Sequence, residues 1–343
     1  MISKLIRKNI LDLHPYSSAR DEFQGQKALF LDANESPYGS YNRYPDPYQT
    51  TLRTKLAAIK KIPAHQIFIG NGSDEVIDLL LRIFCEPQKD RILICPPTYG
   101  MYEVAANIHN INTLKVPLRS DFQLDLQAVL KTIHTHDPKV IFLCSPNNPT
   151  GNALKEIEPI VKAAKGIVCL DEAYIDFSEQ ASFLSKLDTY PNLVISQTLS
   201  KARGLAGLRI GLAFASPYLI SIFNRVKPPY NVSSLNQKEA LKALQHPARF
   251  KRNLNQIKKN RTELLSTLQG LPLVEKVYPT DANFILIKVK NALALYTYLV
   301  NKRVIVRNRS QLVKNTLRIS VGRAAENQKL IQELKNYEKT TVN

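Results

Sequence analysis

Lys201 follows Ser196-Gln197-Thr198-Leu199-Ser200, and Arg209 comes after it in Gly204-Leu205-Ala206-Gly207-Leu208-Arg209. Upstream lie Asp171-Glu172-Ala173-Tyr174 and Ser145-Pro146-Asn147-Asn148-Pro149-Thr150-Gly151. An amine, a carboxylic acid and a phenol are thus interleaved with hydroxyls, an amide and a fixed cation. A pyridoxal 5'-phosphate site requires this ordered set: a lysine able to form a Schiff base, an acid to face the pyridine nitrogen, and donors for the phosphate. A serine followed by a lysine would say nothing alone. The set in order does.

Lys201 needs a neutral amine both to bond a carbonyl and to carry a proton, and a lysine reaches that state when burial and nearby cations depress its pKa. Asp171, as a carboxylate, keeps the ring nitrogen protonated and the ring able to take up electrons. Glu172 competes for that place, but strand alternation sends it to the opposite face. Tyr174 and Asn148 can donate to the ring's phenolic oxygen; Asn148 has a second reading, ordering its proline-rich turn. Gly72-Ser73-Asp74 opens a helix whose Val76, Ile77, Leu80, Ile83 and Phe84 form one apolar face. Gly72 lets backbone approach an anion and the first helical N–H groups point at it, with Ser73 also fit for a plain N-cap. Thr198, Ser200 and Arg209 add hydroxyls and a planar guanidinium. Gly204 and Gly207 permit the turn that brings Arg209 back toward Lys201.

These groups are far apart in the chain, so the elements between them must bring them together. Ile92–Cys95, Val140–Cys144, Ile167–Leu170 and Leu193–Ser196 read as buried strands, with helices over Ser73–Phe84, Leu124–Ile133 and Ile157–Ala164. That alternation predicts a mainly parallel sheet with helices on both faces. Ligands in such sheets gather at the carboxyl ends of the strands, and Asn148, Asp171 and Lys201 each fall just after a predicted strand. A second region begins near His246-Pro247 with a basic helix to about Leu268, followed by strands around Asn283–Val289, Val304–Arg307 and Leu317–Ser320. Helix, strand, helix, strand, strand, helix predicts a smaller α+β unit.

The chain has 343 residues, 44% hydrophobic and 22% charged, a size that suggests two domains. Its apolar runs are too short to span a bilayer, and Met1–Lys8 lacks the apolar core of a signal peptide, so a cytoplasmic protein is expected. The formal charge of +18 raises the question of nucleic acid. The cations are scattered, with modest clusters at Arg249–Arg261 and Arg303–Arg309, and no nucleic-acid-binding motif is present. Anionic ligands account for part of the charge. Cys85, Cys95, Cys144 and Cys169 form no C-x-x-C pair and read as buried reduced thiols. No metal site is expected.

Asn42-Arg43-Tyr44-Pro45, Gly70-Asn71-Gly72-Ser73-Asp74-Glu75, Pro96-Pro97-Thr98-Tyr99-Gly100-Met101-Tyr102 and Leu317-Arg318-Ile319-Ser320-Val321-Gly322 complete a series that runs through nearly the whole chain. With the three motifs above, this series resembles the fold-type I, class-II aminotransferases, and among them the histidinol-phosphate aminotransferases. The resemblance implies an α/β fold: a large pyridoxal-phosphate domain with a mainly parallel seven-stranded sheet over residues 44–245, a smaller α+β domain over 246–343, and an arm, 1–43, packing with the smaller domain. It implies transamination between L-histidinol phosphate and 2-oxoglutarate, giving L-glutamate, in a homodimer whose Tyr44 reaches the partner's site. It further implies that Tyr99 stacks on the cofactor ring, that Arg318 takes the substrate's acidic group and Arg307 its phosphate, and that Tyr16 covers the substrate. An aromatic amino acid aminotransferase and a phospho-amino-acid decarboxylase of the same fold are the alternatives. A regulator of this fold would carry a DNA-binding module, for which the first 40 residues are too short. The stretch from Arg307 to Arg318 is short for the family, and Arg203, beside Lys201, has no assigned role.

Overall fold

Val140–Cys144, Ile167–Asp171 and Leu193–Thr198 become adjacent strands β4, β5 and β6, and every one of their residues is buried. Strands covered on both faces have no solvent side, so they read as continuous apolar runs. The period of two then sorts their side chains. Val140, Phe142, Ile167, Cys169 and Val194 enter the core on one face; Ile141, Leu143, Val168, Leu170 and Ile195 enter the core on the other.

The computed structural model describes residues 2–14 and 28–342. The remaining strands of the larger sheet are β1 (Ile67–Asn71), β2 (Arg91–Ile94), β3 (Asn112–Lys115) and β7 (Ile210–Phe214), in the order β1-β7-β6-β5-β4-β2-β3. Only β7 runs against its neighbours, so the sheet is mainly parallel, as expected. Helices Ser73–Phe84 and Ile157–Ala163 lie where the apolar spacing predicts them, within a residue. The helix expected over 124–133 runs instead over Leu126–His136, because Asp125 caps it by accepting from the N–H of Ala128 at 3.0 Å.

The second sheet is antiparallel, in the order β10 (Arg307–Asn308), β11 (Thr316–Ser320), β9 (Phe284–Val289), β8 (Val274–Val277). Strand β8 was not foreseen, since it is an edge strand with two exposed and two half-buried residues and little apolar signal. Helix Pro247–Gln269 starts on its proline, as the His246-Pro247 boundary predicts. It also ties the two sheets together. Phe250, Leu254 and Ile257 pack on a cluster of Tyr174, Phe177, Ala202, Ala282 and Phe284, and the Arg261 guanidinium donates to the carbonyls of Ala282 (2.9 Å) and Phe177 (3.4 Å).

At the N-terminus, Ile6 and Ile10 join the core on one face of the larger sheet. The Arg7 N–H donates to the carbonyl of Ile83, and its side chain pairs with Glu86 at 2.9 Å. These first residues therefore contact the layer over the larger sheet, rather than the smaller unit expected to receive the arm. Among the described residues, no helix is long and apolar enough to cross a membrane.

Candidate active site

The carboxyl ends of β4, β5 and β6 open into a cavity of about 240 Å³ lined by Ser73, Asp74, Tyr99, Asn148, Asp171, Tyr174, Thr198, Ser200, Lys201, Arg209 and Arg318 among others. Eleven of the residues singled out in the sequence thus share one wall-to-wall site. Four further lining residues, Cys144, Ala173, Ala206 and Arg309, were not expected at the site. Register explains the convergence: Cys144 is level with Asp171, and Asp171 with Ser196, so the loops that follow leave the sheet side by side.

Asp171 is buried at the floor. Tyr102 donates its O–H to one carboxylate oxygen at 2.7 Å and the Ala173 N–H donates to the other at 3.0 Å. Burial pushes the carboxyl above its usual range, because the two donors do not replace the water that the charged form loses. Among the described residues it has no ion-pair partner. Glu172 does face the other way, as alternation requires: it accepts from Ser182, from the Phe183 N–H and from Gln197. Tyr102 was missed. It sits in the quoted Pro96–Tyr102 motif, but a fully buried aromatic in a helix reads as core, and half of it is: the ring stacks on Phe142 at 4.7 Å.

Lys201 projects into the cavity, with its Nζ 5.5 Å from the centre of the Tyr174 ring. Loss of solvent in the cavity, and then the cation of Arg318, lower its pKa. Asp171 and Asp74 oppose that shift. Tyr174 is itself buried and held edge-on by Phe284 at 5.1 Å. Asn148 accepts a short hydrogen bond from the Arg318 guanidinium. The turn-ordering work falls to its neighbour: Asn147 donates to the Pro97 carbonyl (2.8 Å) and Thr150 (2.7 Å) and accepts from Thr98 (3.0 Å). That leaves the Asn148 amide for the cavity.

At the other end, Gly72 has φ +82°, and a Cβ there would stand 2.5 Å from a guanidinium nitrogen of Arg209. Gly211 on β7 is equally constrained, since its Cβ would meet the backbone of Gly72 and Ser73 at 2.2 Å. Strand β7 thus presses directly on the turn that opens helix Ser73–Phe84. Arg209 pairs loosely with Asp74 (3.5 Å), to which Tyr99 also donates (3.2 Å). Thr198 donates to Ser200 at 2.9 Å and accepts from the Ser200 N–H at 3.1 Å. Two hydroxyls, a guanidinium and a helix start therefore face one end of the cavity, a set suited to a phosphate.

Two expected residues, Tyr44 and Arg307, are elsewhere. Tyr44 lies outside this cavity, in a separate hollow, stacked on Tyr230 at 4.4 Å and half-exposed. Arg307 is exposed on the edge strand β10, opposite Arg318 but not on the cavity wall. Tyr16 lies outside the described residues. Arg203, whose place was open, lays its guanidinium over the Phe250 ring at 3.5 Å and so fastens the Lys201 loop to helix Pro247–Gln269.

The profile of the aminotransferase class I and II family matches residues 21–334. The chain belongs to that family. Within it, the chain is 49% identical over 345 residues to the histidinol-phosphate aminotransferase of Cytophaga hutchinsonii, covering 98% of this chain and 99% of the other. It is 50% identical over 340 residues to the enzyme of the same name from Parabacteroides distasonis, covering 98% of each. Its fold is similar to the crystal structure of the histidinol-phosphate aminotransferase from Clostridium acetobutylicum, with a TM-score of 0.80 at 23% identity, over 88% of this chain and 92% of that one. For a class I and II aminotransferase, the placement of Lys201 between a buried acid and a phosphate-suited end is the arrangement its chemistry calls for.

Proposed function

We propose that this protein transfers an amino group between L-histidinol phosphate and 2-oxoglutarate, giving imidazole acetol phosphate and L-glutamate, with pyridoxal 5'-phosphate as cofactor. The observation that carries the cofactor reading is Asp171: a buried carboxyl with no ion-pair partner among the described residues, lining the same cavity as Lys201. A protonated pyridine nitrogen is the partner it lacks. When bound, the cofactor supplies an electron-withdrawing ring that makes the substrate's α-proton removable.

The chain's own groups divide the rest. Lys201, its pKa lowered, provides a neutral amine that holds the cofactor and then moves a proton at the substrate carbon. Asp171 holds the ring nitrogen, positioned by Tyr102. Asn148 and Tyr174 face the ring's phenolic oxygen, and Tyr99 covers the ring. Ser73, Thr198, Ser200 and Arg209 take the cofactor phosphate, with Gly72 and Asp74 shaping that end. Arg318, reached from β11, takes the substrate's acidic group. In this reading, residues 44–245 hold the cofactor and 246–343 deliver Arg318. Leu29, Leu31, Tyr38 and Tyr41 are largely exposed, which supports a homodimer in which Tyr44 and Tyr16 complete a site with a second copy. Four free, buried cysteines accord with a cytoplasmic location.

The substrate reading rests on the named relatives and on the excess of arginine at the substrate end. Steady-state transamination with L-histidinol phosphate, L-phenylalanine and a phosphorylated amino acid tests it. Preference for histidinol phosphate with a 2-oxoglutarate requirement is expected. Preference for phenylalanine, or carbon dioxide release without a keto-acid acceptor, would replace the reading with one of its two alternatives.

A further inference from the structure

Gly72 is the residue before helix Ser73–Phe84, and having no side chain it leaves the helix start uncapped. The first helical N–H groups are then available to an anion, but the turn that aims them must be held by something else. Glu75, the third residue of the helix, holds it. In a capping box an acid at this position reaches back to the N–H of the residue before the helix. Here that N–H is taken, since Gly72 donates to the Gly70 carbonyl at 2.9 Å. The Glu75 carboxylate reaches one residue further and accepts from the Asn71 N–H. Bare backbone at Gly70 makes room for it: a Cβ there would stand 3.1 Å from the same carboxylate oxygen.

That oxygen accepts a second hydrogen bond, from the Asn231 side-chain amide at 2.9 Å. Asn231 also donates to the Ile69 carbonyl at 3.0 Å, and its own amide oxygen accepts from the buried Gln49 at 3.2 Å. The turn over residues 70–73 is therefore clamped from two sides, by Gly211 of β7 and by this side-chain relay. Glu75 itself does not line the cavity, whereas Ser73 and Asp74 do. A carboxylate has the wrong sign for a phosphate contact, so its contribution passes through the backbone it holds. We propose that Glu75 is a positioning residue for the cofactor phosphate: with Asn231 it fixes the turn that aims the helix start, without touching the phosphate. This rests on the reading of the cavity above as the cofactor site.

The test uses full-length apoprotein of the wild type, Glu75→Ala, Glu75→Gln and Asn231→Ala. Titration followed by absorbance gives the dissociation constants of pyridoxal 5'-phosphate and of pyridoxal, which lacks the phosphate. Their ratio isolates the phosphate end of the site, and a loss of fold stability alone would not move it. Glu75→Ala is expected to shrink the ratio by about tenfold, the worth of one hydrogen bond to a charged group. Glu75→Gln, whose amide oxygen can accept both bonds, should keep the ratio within about twofold of the wild type. Asn231→Ala leaves Glu75 in place and should shrink the ratio by about threefold to tenfold, which decides the matter if Glu75→Ala does not fold. Equal weakening of both ligands in the two alanine variants, or a loss in Glu75→Gln as large as in Glu75→Ala, would overturn the assignment. A wild type that does not favour the phosphorylated ligand would instead sink the placing of phosphate at this turn, and the role of Glu75 with it.

Discussion

The Tyr102 hydroxyl donates to the Asp171 carboxylate at 2.7 Å, and this bond joins the core of one sheet face to the chemistry at its edge. Tyr102 is fully buried, stacked on Phe142, and touched edge-on by Tyr99 at 5.5 Å, so its oxygen has little freedom to leave. The acid proposed to face the cofactor is thereby aimed by a residue that reads as packing.

Tyr102→Phe keeps the ring stack and removes that donor. The cofactor's dissociation constant is expected to rise by roughly tenfold, the worth of one hydrogen bond to a charged group. Titration of apoenzyme with pyridoxal phosphate, followed by absorbance, measures it. An unchanged affinity would show that Ala173 alone positions the acid.

Asp171 without its cofactor is a liability, and the sign of its effect on stability can be worked out. The folded-state pKa lies above the unfolded value, so the native state holds the proton more tightly across that interval, and stability falls as pH rises through it. Above the raised pKa the penalty is complete. Apo Asp171→Asn should therefore be more stable than apo wild type at neutral pH, with the advantage shrinking as pH falls toward the ordinary aspartate range. The same variant should bind the cofactor far more weakly. Urea unfolding of both apoproteins at several pH values checks the trend, and a neutral-pH loss of stability in the variant would contradict it.

Lys201 is depressed by the loss of solvent around it and then by Arg318. The rate at which apoenzyme captures pyridoxal phosphate should rise with pH as the amine loses its proton, with a midpoint below that of a free lysine. Arg318→Gln removes the neighbouring cation and should move that midpoint upward. Stopped-flow capture rates across pH measure both. A midpoint that does not move would separate the two residues electrostatically.

Arg203→Ala removes the guanidinium lying 3.5 Å from the Phe250 ring. A stability loss of about 1–2 kcal/mol is expected, and a double-mutant cycle with Phe250→Leu should recover most of it as a coupling. Substantial loss of cofactor affinity with no coupling would instead place Arg203 at the cofactor.

Much of this site was legible because strands β4, β5 and β6 are buried on both faces and so announce themselves as unbroken apolar runs. Their ends could be placed, and with them Asn148, Asp171 and Lys201. Helix Ser73–Phe84 was equally legible, since its apolar face follows the helical period from the cap onward. Strands β3 and β8 were not, being short sheet edges with few buried residues. Gly211 gives no sign in sequence that it abuts the Gly72 turn, because that contact exists only once β7 lies beside β1. That Arg309 lines the cavity while Arg307 is exposed could not be read from spacing, because it follows from how β10 pairs with β11. Tyr102 was hidden for a different reason: its ring does belong to the core, and only its oxygen does not.

The most direct measurement follows the visible absorbance of purified holoenzyme during titration with L-histidinol phosphate, and separately with L-phenylalanine, for the wild type and Lys201→Ala. The expected result is loss of the wild type's visible band at far lower histidinol phosphate than phenylalanine, and no such conversion in the variant. A wild-type band that responds first to phenylalanine, or a Lys201→Ala protein that converts as the wild type does, would contradict it.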